Sequence, residues 1–591
     1  MKKLPLGIYT FDKIMNGGFL YIDKTKLISE LTQITEPLLL TRPKRFGKTL
    51  LLSAVKKFFK GQKKLFKGLW IDQENRHWPS YPIIHLDMAK INCKDLLNFR
   101  QTLITALTKL IKAENLRVKG QSPAEIFQAF IVDLAQSQAQ KVVVLIDEYD
   151  LPIVANANNP ENLTAIWAEL VEFYQVPQQV RENLRFHFMV GVNRFDQKRL
   201  FPGFDNLRDI TFDPGFSSIC GISEQEFDQH FPPYLDVVMT ALEAEGQDFG
   251  PHGLKKLRAD LLDWYGGYSW DGQNKLMHLF FLLHFFRAKE LNNFWHTAKT
   301  PSKLVTLVRK HDLASHLIAE DLTFSPEENV IDLENVLPVP ALFQSGYLAV
   351  TKTAHQSGQI VHRLALPNLS ARWLLFIYLM AKVYNHKAGH LWGEIDQLLK
   401  SLTNLNPKLS ALALKRLLTS FTHGRMGKSG AEHYGPIFQY VMYVLGQPIP
   451  GPEPEGPQGW RAYPNGGIKN DLIKPVTGLV KIDNDAFLAM EMSYHILDRS
   501  AQSENLKGNE TDHEYPDLDY DSDDEWRYPS EEILALEERL ADRAKLALAR
   551  LNRFEWVKRL RAEGLRVIPV ALVVLGDSVV KVLMEKDQPG A

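Results

Sequence analysis

The sequence predicts an α/β protein whose largest part is a mainly parallel sheet, and three observations carry that prediction. The apolar run "PLLL" leads directly into "TRPKRFGKT" (Thr41 to Thr49) and then into the amphipathic "LLLSAVKKFF". The segment "KVVVLIDEYD" holds five consecutive apolar residues, mostly β-branched, closed by carboxylates. Strand patterns of this kind alternate with helical ones, which implies right-handed crossovers between parallel strands.

Taken in order, Leu38 to Thr41 reads as a short buried strand and Lys48 to Lys60 as a helix. "YPIIHLDM" (Tyr81 to Met88) is a second strand, followed by two helical patterns, "DLLNFRQTLITALTKLIKAE" and "PAEIFQAFIVDLAQS". "KVVVLIDEYD" and "LRFHFMVGV" (Leu184 to Val192) supply further strands. A mainly helical region is expected over 221–425, interrupted by the turn-rich "WYGGYSWDGQ". From 426 to 591 the pattern changes. A helix, "HYGPIFQYVMYVLG", runs into the Pro/Gly-rich "QPIPGPEPEGPQG", which is unsuited to regular structure. Strands follow at "WRAYP", "NDLIKPV" and "AFLAMEM". The acidic "ETDHEYPDLDYDSDDEW" reads as a solvated loop, and a helix (Ser530 to Glu563) and the strands "RVIPVALVVLG" and "SVVKVLME" finish the chain. The expected domains are therefore 1–220, 221–425 and 426–591.

Composition narrows the function classes. A formal net charge of −1 over 591 residues excludes a protein that coats nucleic acid by bulk charge. The two cysteines, Cys93 and Cys220, lie far apart without metal spacing, which excludes a disulfide scaffold and fits a reducing compartment. The start lacks the apolar core of a signal peptide, and the most apolar runs are too short to span a bilayer. The expectation is a cytoplasmic protein without a membrane partner.

The chemistry concentrates at two places. Gly47-Lys48-Thr49 completes a phosphate-loop ending between a strand and a helix. Gly47 lets backbone approach phosphate oxygens, and the amides entering the helix favour negative charge. Lys48 reaches the β- and γ-phosphates, and the Thr49 hydroxyl binds Mg²⁺. Arg42 stands at the first glycine position, so the loop must enter in an ordinary φ/ψ conformation. The nucleotide-binding stretch is thus Arg42, Pro43, Lys44, Arg45, Phe46, Gly47, Lys48 and Thr49. Asp147 and Glu148 close the strongest strand, where Mg²⁺-dependent hydrolysis of ATP needs them: Asp147 toward the metal, Glu148 toward the attacking water. Asn193, at the end of the next strand, is placed to sense the γ-phosphate, although a turn asparagine would look the same. Arg194 and Arg199 are candidate charge stabilisers.

"LPLGIYTFDKI", "YIDKTKLI", "TRPKRFGKTLLLSAVKKFFKG", "LFKGLWI", "LIDEYDLPI", "GVNRFDQKRLFPGFDNLRDITFD" and "GISEQEF" together resemble the AAA-ATPase-like family of uncharacterised, mainly bacterial proteins. "WYGGYSWDG", "FWHTAKTPSKL", "FQSGYLAV" and "LALPN" extend the resemblance to about Asn368. It implies that arginine at the first loop position is a family trait and that the N-terminal fold is a P-loop NTPase. Tyr21, Asp23, Lys24 and Thr25 are family-typical, either contacting the base or packing under the loop.

Members of that family commonly end in a PD-(D/E)XK nuclease-superfamily domain, an α/β restriction-endonuclease-like fold. By that resemblance Asp471 and Glu491 are the metal-binding acids, and Ser493 replaces the lysine, so the triad is broken. Either a decayed nuclease fold persists for packing or binding, or Lys469, Lys474 or Lys481 reaches in from a neighbouring strand. Glu432 is a weaker additional ligand. Three functions stay open at this level: an ATPase driving or gating a C-terminal effector that engages nucleic acid, a nucleotide-binding interaction protein with little turnover, and an ATP-gated nuclease. Self-association and the choice of ATP over GTP are not legible.

Overall fold

The computed structural model describes residues 1–74, 78, 80–204, 206–244, 253–291, 300–311, 313, 316–317, 320–333, 335–356, 358–383, 388–422, 476–483, 486–495, 530–553, 558, 561–562, 566–575 and 579–584. The chain forms two compact units, Met1–Leu374 and Leu375–Ala591. The expected limit at residue 220 falls inside the first unit, for a reason that lies in the packing of the loop.

The first unit is built on five strands: β1 (Leu38–Thr41), β2 (Ile83–Asp87), β3 (Val142–Asp147), β4 (Leu184–Gly191) and β5 (Arg208–Asp209). They pair in the order β2-β3-β4-β1-β5, and every pairing is parallel. Every residue of β1 and β3 is buried, which is why both read as unbroken apolar runs rather than alternating ones. Helices α1 (Phe11–Asn16) and α2 (Thr25–Leu31) precede the sheet, and α3 (Lys48–Phe59) follows the loop. Next come α4 (Leu96–Ala113), α5 (Pro123–Gln138), α6 (Leu151–Ala155) and α7 (Pro160–Gln179). Local chemistry starts these helices. Asp95 accepts from the Asn98 amide at α4, and Ser122 from the Glu125 amide at α5, with Pro123 at the first turn.

The rest of the first unit is less helical than the sequence suggests. Beside its helices it contains the short antiparallel pair β6 (Ile222–Ser223) and β7 (Leu276–Met277). A three-stranded antiparallel sheet follows, β8 (Leu322–Phe324), β9 (Ala349–Gln356) and β10 (Gln359–Ala365), in the order β8-β10-β9. The β9–β10 hairpin is rich in Thr, Gln and His, so its pattern lacks the apolar alternation that announces a strand.

In the second unit, β11 (Val476–Asp483), β12 (Ala486–His495), β13 (Arg566–Leu575) and β14 (Val579–Met584) form a sheet in that order, antiparallel except for the parallel β12–β13 pair. The helix Ser530–Arg553 joins β12 to β13, and its Leu540, Ala544 and Ala547 form a buried cluster with Ala571 of β13. The strand beside β12 covers Val476–Asp483, and the expected strand "NDLIKPV" lies outside the described residues except for Val476. The expected helix at 433–446 and the strand "WRAYP" lie outside the described residues. Among the described residues, no helix is long and apolar enough to cross a membrane.

Candidate nucleotide site

Because the sheet is parallel, β1, β4 and β3 deliver their carboxyl ends to one edge, with β4 between the other two. The loop leaves β1 there, Asp147 ends β3, and Asn193 lies two residues beyond the end of β4. Arg45 (φ 62°) and Gly47 (φ 108°) take left-handed conformations to make the loop's bend. Arg42 does not, as its side chain requires. Gly47 then caps α3, so the amides of its first turn open toward the loop.

Lys48 is buried, and its Nζ donates to the carbonyls of Arg42 (2.9 Å) and Pro43 (3.0 Å). Burial pushes its pKa down, while Asp150, Glu148 and Asp147 work to hold the charge. Burial also pushes the Asp147 carboxyl up to about 6, with Asp87 and Glu148 adding to the shift and the Thr49 hydroxyl and Lys48 opposing it. Asp147 Oδ1 is buried without a hydrogen-bond partner among the described residues. A buried acceptor of this kind, beside a hydroxyl and across from a lysine, fits a cation. Glu148 (φ 51°) is held in the left-handed region and lines a cleft of about 690 Å³ with Arg45, Lys48 and Thr49. The strained backbone turns Glu148 away from the strand direction that Asp147 follows.

Arg42 is the largest departure from a simple phosphate-contacting role. It is fully buried, and its guanidinium donates to the carbonyls of Thr41 (2.8 Å) and Thr211 (3.0 Å) and, more loosely, to those of Phe216 and Ser217. It also lies 4.1 Å over the Trp270 ring. Phe46 is buried edge-on against Tyr268, Trp270 and His278, at ring separations of 5.1–5.4 Å. His278 Nε2 donates to the Lys44 carbonyl at 3.2 Å. The "WYGGYSWDG" segment is therefore the floor of the loop, which is why residues beyond 220 belong to this unit. Arginine at the first loop position replaces a flexible glycine with an anchor on fixed carbonyls. Arg45 stacks over Phe280 (4.2 Å) at the cleft.

A second, mostly apolar pocket of about 600 Å³ adjoins the first through Gly47 and Leu50, and Tyr21, Lys24 and Cys220 line it. Lys24 pairs with Glu226 at 2.7 Å, and Asp23 accepts from Thr25 and from the Trp70 amide. Tyr21 and Lys24 thus face the pocket wall, whereas Asp23 and Thr25 secure the turn beneath.

Residues 5–201 match the family model described as a predicted AAA-ATPase. The matched residues include the loop, Asp147, Glu148 and Asn193. A relative from Azotobacter chroococcum mcd 1, an uncharacterised protein in the vnfD 5′ region, is 29% identical over 449 residues, covering 75% of this chain and 82% of that protein.

Two carboxylates in the AAA-ATPase-like stretch escaped the sequence reading. Asp87, at the end of β2, stands in register with Asp147 and pairs with Lys90 at 2.8 Å. Asp150 is buried and accepts from the Val192 amide (3.1 Å), the Asn193 amide (2.8 Å) and Asn193 Nδ2 (2.6 Å). The only signal for Asp150 was a third acid in "DEYD". Arg194 is committed elsewhere, to Asp209 (2.6 Å) and to the carbonyls of Pro326 and Asn329. Arg199 lies 5.6 Å over Trp167.

In the second unit, Glu491 of β12 pairs in register with Thr477 and Ala571, and Ser493 with Val573. Lys481 pairs with Phe487, four residues along from Glu491, or about 13 Å. Asp471, Glu432, Lys469 and Lys474 lie outside the described residues.

Proposed function

We propose that the first unit binds a Mg²⁺–nucleoside triphosphate, ATP in the first instance, and hydrolyses it, with the second unit as the effector it drives or gates. The observation that supports this most is the orphaned, buried Asp147 Oδ1, one strand removed from a phosphate loop whose lysine is already buried. Thr49 and Asp147 would hold the metal. When bound, the ion neutralises charge on the phosphate oxygens.

The chain's own residues do the rest. Lys48 exchanges its two loop carbonyls for β- and γ-phosphate oxygens, and the first amides of α3 donate to the same phosphates. The Glu148 carboxylate accepts the proton of the attacking water, and Asn193 orients that water. The adjoining apolar pocket takes the base. In the second unit, the resemblance to the nuclease pattern puts lysine where Ser493 stands, and Lys481 is in register with Phe487, four residues along from Glu491. We read that unit as one that engages nucleic acid without efficient cleavage.

Steady-state phosphate release, run beside a DNA cleavage assay in Mg²⁺, tests both parts. Glu148→Gln should lower release by about two orders of magnitude while nucleotide binding survives, because basicity is lost and size is kept. Unchanged release would remove Glu148 from its role. Robust DNA cleavage by the wild type, abolished by Glu491→Ala, would contradict the reading of the second unit.

A further inference from the structure

Asp150 closes "DEYD" and is 3% exposed, an acid whose burial has to be compensated. The compensation comes from two consecutive residues just beyond β4. Oδ1 accepts from the Val192 amide, and Oδ2 from both the backbone amide and the side-chain amide of Asn193. The Tyr149 hydroxyl donates to the Asn193 carbonyl at 2.6 Å, and Tyr174 in turn donates to the Tyr149 carbonyl at 2.7 Å. Asn193 is therefore held at its amide, its carbonyl and its side chain.

The same strand end is tied to the loop. The Arg42 amide donates to the Gly191 carbonyl at 3.1 Å, and the Arg42 carbonyl accepts from Lys48 Nζ. Glycine is required at 191, because a Cβ there would overlap the Asp150 carboxylate and the Tyr149 ring.

We propose that Asp150 is a positioning residue that fixes Asn193 at the γ-phosphate end of the site and so makes the site distinguish a nucleoside triphosphate from a diphosphate. The inference rests on the nucleotide-binding function proposed above. With the backbone of Asn193 held at its amide and carbonyl and its side-chain amide tied to Asp150 Oδ2, contact with a terminal phosphate costs little further ordering of that side chain. Asp150→Asn keeps the shape but replaces one of the two accepting oxygens by a donating N–H₂, which cannot accept the N–H groups of Asn193 or of Val192 that the carboxylate now holds. Asn193 is then released, while contacts to the α- and β-phosphates remain.

Calorimetry with Mg²⁺ and either a non-hydrolysable ATP analogue or ADP tests this without depending on turnover. Asp150→Asn should weaken the analogue about tenfold and leave ADP within about twofold. Asn193→Ala should show the same pattern, and the double variant should lose no more than either single one. Tyr149→Phe, which removes one bond to Asn193, should move the ratio in the same direction by less, and it carries the test if Asp150→Asn fails to fold. Wild-type binding of both nucleotides with an unchanged ratio in these variants, or additive losses in the double variant, overturns the inference alone. A wild type that binds neither nucleotide overturns the function on which it rests.

Discussion

His187 shows how a single side chain in the sheet sets a condition on the whole fold. It lies in β4 between Phe186 and Phe188, fully buried, with neither ring nitrogen partnered among the described residues. Burial holds its pKa near 3, against 6.5 for the exposed ring. Below about pH 6.5 the unfolded chain therefore takes up a proton that the folded chain refuses. Its contribution to stability is complete above that pH and is lost as pH falls toward 3, by up to about 1.4 kcal/mol per pH unit. Replacing it by leucine should flatten the pH dependence of unfolding free energy between pH 6.5 and 4 by one proton's worth. An identical slope in both proteins would contradict this. At the same scale, Lys48, Thr49 and Asp147 could be picked out because they close local patterns, a G-K-T loop after a short apolar strand and a run of five apolar residues. Asp150 was not, because its partners lie 42 and 43 residues away and no local pattern announces them.

Among the elements, β1, β3, β4 and α3 were legible from runs of buried apolar residues and from the glycine that starts the helix. The dependence of the loop on residues 268–278 was not, since it consists of ring contacts made across more than 200 positions. Trp270 carries both halves of that contact, under the Arg42 guanidinium and T-shaped against Phe46. Trp270→Ala should cost about 3 kcal/mol of stability and weaken nucleotide binding about tenfold, because the loop loses its floor. Trp270→Phe should retain most of both. Thermal unfolding and calorimetry on the two variants check this, and full nucleotide affinity in a folded Trp270→Ala protein would show that the floor does not set the loop.

At the scale of the molecule, the chain divides into Met1–Leu374, built on a parallel sheet, and the smaller mixed α/β unit Leu375–Ala591. In the first unit a buried lysine, an orphaned aspartate oxygen and a strained glutamate converge on one sheet edge. In the second, Glu491 and Ser493 lie two residues apart on β12, in register with Ala571 and Val573 of β13. The placement of the second unit's elements was legible from "AFLAMEM" and "RVIPVALVVLG". The strand paired with β12 was not, because Gly478 and the polar Thr477 and Lys481 break its apolar pattern. The central claim, that the Gly47-Lys48-Thr49 loop is where a nucleotide binds, is tested most directly by calorimetry of Mg²⁺–ATP on the wild type and on Lys48→Ala. Binding by the wild type, weakened about 100-fold in a variant that unfolds at the same temperature, is the expected result. Equal affinity in a folded Lys48→Ala protein would contradict it.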